Sequence, residues 1–318
     1  MTEAEAVERF VHDGDTIYCG FTVVPYGLTF EIIRQNRRRL NVVGSSNVFS
    51  AMLLALAGCA DRMETGYVGG TLTNGPINEM MKDGRLRFED YSNLTMTLRF
   101  MAAALGMPFV PTNSFLGTDY LTQEVLEHEH GLASDRIRPD GSVAPKLAVM
   151  ESPFTGEKTV LLSPCRPNVA MIHCQRADED GNVQAWGPLA DSKWALWAAD
   201  IVIVSAEEIV PSSVIRTDPG RTVIPGFRVS AVVENPLGGH PGPVSGYYYR
   251  DKHFFALAGQ PFKDWDSATE FFDKWVYGAP TRAEYVRKYR DAFGDELMDD
   301  IMVKNPIVPE QPAKSGWR

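Results

Sequence analysis

Two apolar runs, joined by a turn and a helix-like segment within residues 164–211, constrain the fold of this chain more than any other feature. The runs are residues 169–174 and 201–204, and residues 180–182 between them read Asp-Gly-Asn, which favours a tight turn with positive φ. Residues 191–199 have the pattern of a helix. Strands that are apolar at every position are normally buried on both faces, as in parallel sheets covered by helices. The stretch therefore predicts an α/β fold with an open, mainly parallel sheet and helices on both faces.

The rest of the chain shows the same alternation of short apolar segments and helix-like segments. Further strands are predicted at residues 16–19, 40–43, 64–68, 159–162 and 229–233. Further helices are predicted at residues 25–35, 49–57, 271–276 and 281–293, and a long helix runs through Met101 and Leu105. The strand at 159–162 is expected to begin the second half of the sheet. We expect one domain over residues 1–300, with a surface excursion near residues 122–152, and a loose tail at residues 301–318.

Charge and cysteine spacing limit the partners and the compartment that suit this chain. It has 41 acidic and 31 basic residues, and the resulting net charge of -10 repels nucleic-acid backbones and anionic membranes. The 4 cysteines show no CxxC spacing, which fits a reducing cytosol better than a disulfide framework. The N-terminus lacks a signal segment, and the longest apolar stretch, residues 51–57, is too short to span a bilayer. We expect a cytoplasmic protein with no nucleic-acid or membrane partner.

Short motifs in a fixed order give the chain a resemblance to a known family. The motifs are residues 14–17, 20–22, 30–35, 89–92, 102–109, 177–183, 186–187, 198–204, 207–209 and 224–226. Their order and spacing, from about Glu5 to about Tyr289, resemble the A-type subunits of family I coenzyme A transferases. Within that family the chain is most similar to glutaconate CoA-transferases. The resemblance implies a subunit of an enzyme that moves coenzyme A between an acyl-CoA and a carboxylic acid.

The resemblance also implies a division of labour between two kinds of chain. In this family, a glutamate of the B-type subunit forms an acyl anhydride and then a glutamyl-CoA thioester. This sequence has no convincing equivalent of the glycine-flanked motif that carries that glutamate. We therefore expect no catalytic nucleophile in this chain, a partner that is a B-type subunit, and a heterotetramer or larger assembly. Coenzyme A is expected as a substrate, and no metal or redox cofactor is implied.

The residues at the end of the first predicted strand are the first candidates for the site. Gly20, Phe21 and Thr22 follow residues 16–19, at the end of the strand where open α/β sheets bind ligands. A glycine there lets backbone N–H groups approach a ligand oxygen closely, although an ordinary strand-to-helix turn explains it equally. In the family, the matching glycine loop faces the acyl thioester. Cys19 stands where a second glycine is usual, so the loop geometry differs from the family pattern.

Polar residues after the following strands are candidates for holding the acyl group and the carboxylate of the acid. They are Ser45, Ser46, Gly70, Thr71 and Asn93. A helix N-cap explains Ser46 without a ligand, and a surface loop explains Gly70 and Thr71. These alternatives stay open on the sequence alone.

Other titratable residues are given structural interpretations. His173 lies inside a predicted strand and is interpreted as a buried residue with hydrogen-bond partners. Glu207 and Glu208 follow the strand as a carboxylate pair that could do acid/base work, but they are expected instead to cap the helix that begins near Pro211. His240 has a better claim to function than the other histidines, because it lies on a glycine-rich and proline-rich loop.

Two other functions stay open at this point. Relatives with this architecture hydrolyse or decarboxylate CoA thioesters, and the deciding residue often lies on the partner chain. Ring-cleaving CoA-thioester hydrolases of the superfamily carry a glutamate in the segment where this chain has the neutral Ser92-Asn93, which disfavours hydrolysis. A non-catalytic small-molecule-binding protein is the other alternative, and the acidic charge and the lack of a helix-turn-helix extension disfavour it.

Overall fold

A computed structural model of the chain describes residues 1–46, 49–69, 75–121, 141 and 147–304. Its strands are β1 (Thr16–Tyr18), β2 (Leu40–Gly44), β3 (Ala60–Thr65), β4 (Arg87–Asp90), β5 (Val110–Thr112), β6 (Leu147–Glu151), β7 (Lys158–Leu162), β8 (Val169–Ala177), β9 (Val183–Gln184), β10 (Ile201–Ile209), β11 (Thr222–Ile224) and β12 (Ala231–Glu234). Its α-helices are α1 (Glu3–Phe10), α2 (Tyr26–Arg34), α3 (Phe49–Leu56), α4 (Gly75–Lys82), α5 (Asn93–Ala104), α6 (Ser192–Ala198), α7 (Ser212–Thr217), α8 (Phe254–Leu257), α9 (Trp265–Phe271), α10 (Arg282–Phe293) and α11 (Asp295–Ile301). Helix α9 continues as a π-helix over Phe272–Tyr277. Among these helices, none combines the length and the apolar sequence that a membrane span needs.

A mainly parallel sheet forms the centre of the fold. Its parallel strands lie in the order β4-β3-β2-β1-β8-β10-β12. β9 pairs antiparallel with the end of β8, and β11 pairs antiparallel with β9. Because the neighbouring parallel strands run in one direction, their carboxyl ends lie at a single edge of the sheet. The prediction of an open, mainly parallel α/β sheet is confirmed.

Helices cover both faces of this sheet, because successive residues of a strand point to opposite sides. Ile17 belongs to one buried apolar cluster and Tyr18 to the other, and Val169 and Ala170 divide in the same way. The first cluster includes side chains of α2, α3 and α10, and the second includes side chains of α5 and α6. The uniformly apolar strands of the sequence are therefore buried on both faces, as predicted.

Strand β8 has an interrupted edge on the side of β1. β1 is 3 residues long, so β8 loses it as a neighbour after Ala170 and pairs with β9 only from Arg176 onward. Within this gap, the N–H of His173 donates to the carbonyl of Val23 over 2.8 Å. The loop after β1 thus occupies the place that a longer strand would fill.

The strand predicted at residues 159–162 does not belong to the central sheet, so that part of the prediction is wrong. β7 pairs antiparallel with β5 and β6 in a separate sheet. The connection between β6 and β7 is short and is closed by a bond of 2.8 Å from the N–H of Ser152 to the carbonyl of Glu157. Strands joined by so short a turn pair antiparallel, since a parallel pair needs a long crossover.

Two predicted boundary regions are only partly described. In the excursion predicted near residues 122–152, residues 147–151 form β6, whereas residues 122–140 and 142–146 lie outside the described residues. At the C-terminus, the N–H of Tyr249 donates to the carbonyl of Ile301, and residues 305–318 lie outside the described residues. The division into a domain and a tail stays a prediction.

Candidate functional site

A cavity of about 600 Å³ lies at the carboxyl edge of the parallel sheet. The loops after β1, β2, β3 and β12 form its wall, together with the first residues of α2 and α3. Its lining side chains are mostly apolar and include Phe21, Val24, Phe49, Tyr67, Trp186, Pro241, Val244 and Phe255. Open α/β sheets bind ligands at this edge, so we take the cavity as the candidate site.

The loop from Gly20 to Val24 is bent by a glycine that no other residue can replace without strain. Gly20 has φ +70°, and a Cβ atom at this position would lie 2.7 Å from the carbonyl oxygen of Val23. The Thr22 hydroxyl donates to the carbonyl of Pro188, which ties the loop to the opposite wall. The N–H groups of Phe21 and Thr22 donate to no backbone acceptor within the described residues. At two positions that line the cavity, the loop therefore has backbone N–H groups without an acceptor among the described residues.

Cys19, which departs from the family's glycine pattern, has no reactive role in this environment. Its side chain is fully buried in the apolar cluster that contains α2 and α3. Burial raises the pKa of the Cys19 thiol to about 12, so the thiol stays protonated at neutral pH.

The structure brings together some of the predicted site residues and separates others. Gly20, Phe21, Thr22 and Ser46 all line the cavity. Ser45 does not line it, and its N–H donates to Asp191 over 2.7 Å. Asn93 is exposed at the start of α5 and is not among the residues that line the cavity. Gly70 and Thr71 lie outside the described residues, next to Gly69, which does line the cavity.

Gln175 is a cavity residue that the sequence did not indicate. Its side-chain amide donates to the carbonyl of Trp186 over 2.9 Å and to that of Ser245 over 3.1 Å, and it accepts from the Trp186 N–H over 3.3 Å. This one side chain holds two loops of the wall in place. It stands at an unremarked polar position near the end of β8, and no local pattern distinguishes it from an exposed strand residue.

Asp251 is the only carboxylate that lines the cavity among the described residues, and it is occupied by protein donors. It accepts from Nε2 of His240 over 3.3 Å, from the Tyr289 hydroxyl over 2.5 Å, and from the N–H groups of His253 and Phe254 over 2.9 Å. Burial alone would raise the pKa of Asp251, but these hydrogen bonds lower it to about 2. Asp251 is therefore a fixed anion whose oxygens are already in use.

His240 supports this part of the wall from behind and does not line the cavity, so its predicted functional claim finds no support in the geometry. Its ring is fully buried, and Nδ1 lies 2.8 Å from the hydroxyl of Tyr285. Burial lowers the pKa of His240 to about 4, so the ring is neutral at pH 7. A neutral, fully hydrogen-bonded histidine of this kind positions Asp251.

A second set of polar residues, His173, Glu207 and Tyr248, forms a buried network behind the cavity. Nε2 of His173 lies 2.5 Å from Oε1 of Glu207, and Nδ1 lies 2.8 Å from Oγ of Ser205. Glu207 also accepts from the Tyr248 hydroxyl over 2.6 Å and from the Leu237 N–H over 2.9 Å. The interpretation of His173 as a buried, hydrogen-bonded residue is confirmed.

The predicted capping role of Glu207 and Glu208 is wrong. Both residues belong to β10, which continues to Ile209 because the network satisfies its polar side chains inside the core. Helix α7 begins after Pro211 without any side-chain cap. Glu208 pairs instead with Arg176 over 2.7 Å.

The cavity can thus hold a small, largely apolar group, and the loop that lines it has two backbone N–H groups without an acceptor among the described residues. Its described wall contains no carboxylate, thiol or imidazole that is free to attack a substrate. This combination is typical of an α/β protein with an organic-ligand cavity whose described residues include no free nucleophile.

Comparison with known proteins gives this architecture a family. Residues 1–235 match the coenzyme A transferase family. The chain is 32% identical over 295 residues to the A-type subunit of 3-oxoadipate CoA-transferase from Pseudomonas knackmussii, covering 91% of this chain and 97% of that protein. It is 31% identical to the A-type subunit of glutaconate CoA-transferase from Acidaminococcus fermentans, covering 91% of each chain. The chain therefore belongs to the coenzyme A transferase family, and the prediction of an A-type CoA-transferase chain is confirmed.

A solved structure supports the same assignment. The crystal structure of the Acidaminococcus fermentans glutaconate CoA-transferase matches with a TM-score of 0.82 and 31% identity over 95% of each chain. A further relative, an uncharacterized protein of Archaeoglobus fulgidus, is 32% identical over 90% of this chain. The match covers 61% of the length of that relative.

Proposed function

We propose that this chain is the acyl-binding half of a CoA-transferase and that a carboxylate of a B-type partner chain is the nucleophile. Two observations carry the proposal. The N–H groups of Phe21 and Thr22 have no acceptor among the described residues, and the lining carboxylate, Asp251, already accepts from protein groups. The two curated relatives are both A-type subunits of transferases, which supports a second, different chain in the enzyme.

The reaction would proceed by two acyl transfers on the partner. The partner carboxylate attacks the thioester carbonyl, the C–S bond breaks, and a mixed anhydride and the CoA thiolate result. The thiolate then attacks the partner's own carbonyl of the anhydride, which releases the first acid and leaves the partner as a CoA thioester. The acceptor acid reverses these steps and departs as the new acyl-CoA.

In each step, negative charge develops on the oxygen of the attacked carbonyl. The N–H groups of Phe21 and Thr22 would stabilise this charge, since donors fixed before the reaction cost no rearrangement. Gly20 holds them in place through its positive φ. The apolar side chains of the cavity would surround the acyl chain and exclude water, which competes with the acceptor acid.

Trapping the partner thioester tests this proposal. The chain, co-purified with its B-type partner, is incubated with a panel of acyl-CoA substrates without an acceptor, reduced with borohydride, and digested for mass spectrometry. Conversion of one partner glutamate to the alcohol supports the proposal. Consumption of acyl-CoA with no adduct would instead support hydrolysis or decarboxylation, and an adduct on a carboxylate of this chain contradicts the assignment of the nucleophile.

A further inference from the structure

The cavity has an aromatic platform, formed by Phe49 of α3 and Phe255 of α8. Both side chains line the cavity, and their rings stack with centroids 4.6 Å apart and planes inclined by 22°. The ring of Phe262 packs against both, with centroid distances of 5.7 Å. Phe255 also contacts the fully buried Phe271, with centroids 6.0 Å apart. Rings that are packed in this way keep one position, so the platform is a fixed apolar surface in the cavity wall.

The charged residues of the wall offer no buried cation to a ligand. Among the described lining residues, only Arg250 and Asp251 are charged. Arg250 is exposed, so water competes for its guanidinium and weakens any ion pair that it forms.

Asp251 adds a negative charge to this wall. It is buried, and its two oxygens accept from His240, Tyr289 and two backbone N–H groups. Its pKa of about 2 keeps it ionised at neutral pH. A carboxylate that entered the cavity would lose water near a fixed anion, and this loss costs free energy because the described wall supplies no buried cation. The cavity therefore favours an uncharged group.

We propose that the platform of Phe49 and Phe255 binds the tail of the acyl group and selects acyl-CoA substrates whose tail carries no charge. The inference rests on the proposed function, because it takes the cavity as the acyl site. An apolar tail gains binding free energy with each methylene group that it buries on the platform. The acids that name the two curated relatives, 3-oxoadipate and glutaconate, each carry two carboxylates. The inference therefore separates the substrate of this chain from both.

The experiment compares hexanoyl-CoA with adipoyl-CoA in the complex of this chain with its B-type partner. Both have acyl groups of equal carbon number and the same coenzyme A, so a difference in rate reports on the end of the tail. The second-order rate constant for loss of the acyl-CoA is measured under single-turnover conditions without an acceptor. Hexanoyl-CoA is expected to react at least about 100-fold faster than adipoyl-CoA. Adipoyl-CoA that reacts as fast as hexanoyl-CoA would overturn the inference.

Phe255→Ala tests the platform itself. The rate constant for hexanoyl-CoA should fall about tenfold and that for acetyl-CoA by less than about threefold, because acetyl has only a methyl group to bury. Leu257→Ala is the matched control, since Leu257 lies on the same helix, is 49% exposed and does not line the cavity. Loss of folded protein lowers both rate constants equally, so their ratio still reports on the cavity. An unchanged ratio in Phe255→Ala would overturn the role of the platform.

Borohydride trapping in the same samples separates this inference from the proposed function. A partner adduct that forms equally fast from hexanoyl-CoA and adipoyl-CoA supports the transferase and overturns the selection of an uncharged tail. Faster loss of hexanoyl-CoA without an adduct contradicts transfer but supports the selection. Where neither substrate is consumed, the complex is titrated calorimetrically with hexanoate and adipate. Tighter binding of hexanoate then supports the inference, and equal or tighter binding of adipate overturns it.

Discussion

The buried network and the cavity wall both include a residue of β8, His173 in the network and Gln175 in the wall, yet the polar groups of the two regions differ in hydrogen bonding. In the network, His173, Glu207 and Tyr248 satisfy one another completely within the core. In the wall, Arg250 and Tyr26 line the cavity without a hydrogen-bond partner among the described residues, but Arg250 is exposed and the Tyr26 hydroxyl is not one of the buried side-chain atoms that lack a partner. An unpaired polar group costs free energy when it is buried away from water, so these two groups, which water can reach, carry no such cost. Hydrogen-bond state and access to water, more than the burial of the whole residue, separate the network from the wall here.

The largest effect is expected from opening the network at Glu207. Glu207→Ala leaves His173, Tyr248 and the Leu237 N–H without their acceptor, so the free energy of unfolding should fall by about 3–5 kcal/mol. Glu208→Ala is the control, because the side chain of Glu208 is 40% exposed and its pair with Arg176 contributes less than about 1 kcal/mol. Urea denaturation measures both. Equal losses in the two variants would show that the buried network contributes no more to stability than the exposed pair of Glu208 and Arg176.

The next effect concerns pH, through His240, the buried histidine that is hydrogen-bonded to Asp251. The pKa of His240 is about 4 in the folded chain and about 6.5 in the unfolded chain. Between these values only the unfolded chain binds the proton, so the free energy of unfolding falls as pH falls from 6.5 to 4, by on the order of 3 kcal/mol. His240→Gln should remove this dependence, whereas His12→Gln, at an exposed position, should retain it. Superimposable pH profiles of the wild type and His240→Gln would contradict the prediction.

A smaller effect is expected from the loop that presents the backbone donors. Gly20→Ala places a Cβ atom 2.7 Å from the carbonyl oxygen of Val23 on a residue with positive φ. The free energy of unfolding should therefore fall by about 2–3 kcal/mol. Gly84→Ala is the control. Gly84 also has a positive φ, of +78°, but an added Cβ atom would meet no other atom within 4 Å, so the free energy of unfolding should fall by only about 1 kcal/mol. Transfer activity should fall only in Gly20→Ala. Retention of full activity there would remove the loop from the proposed mechanism.

The smallest effect gives the sharpest comparison, because it makes the same change in both regions. Tyr248→Phe deletes a hydroxyl that donates to Glu207, so the free energy of unfolding should fall by about 1–2 kcal/mol. Tyr26→Phe deletes a hydroxyl without a partner in the described chain and should change the free energy of unfolding by less than about 0.5 kcal/mol. Thermal and urea denaturation measure the free energy of unfolding of the two variants. A loss at Tyr26 equal to that at Tyr248 would mean that Tyr26 has a structural partner.

Features that depend on local chemistry were predictable from the sequence. The apolar runs of β8 and β10 indicate burial on both faces, and this alone predicts the parallel sheet and its helices. Gly20 could be placed at the end of a strand, and parallel strands carry their ligands at that edge. The family resemblance located the same loop independently.

Features that depend on long-range pairing were not predictable. Arg250 follows three tyrosines in a segment without a clear pattern, and it reaches the cavity only because β12 pairs with β10 beside β8. Strand β7 has the apolar pattern of a central strand, but its short turn from β6 gives it a different partner. Tyr26 reads as the first apolar residue of a helix, and only the folded wall shows that its hydroxyl has no partner among the described residues.

The interrupted edge of β8 has a consequence for how the substrate range of this fold can change. The loop after β1 stands in for a strand, and one bond from His173 to Val23 ties it to the sheet in the gap between β1 and β9. Loop length and composition can therefore vary while the pairing of β8 with β10 stays intact. We expect grafted loops of other lengths at this position to alter acid preference without unfolding the protein, so that specificity can evolve separately from stability.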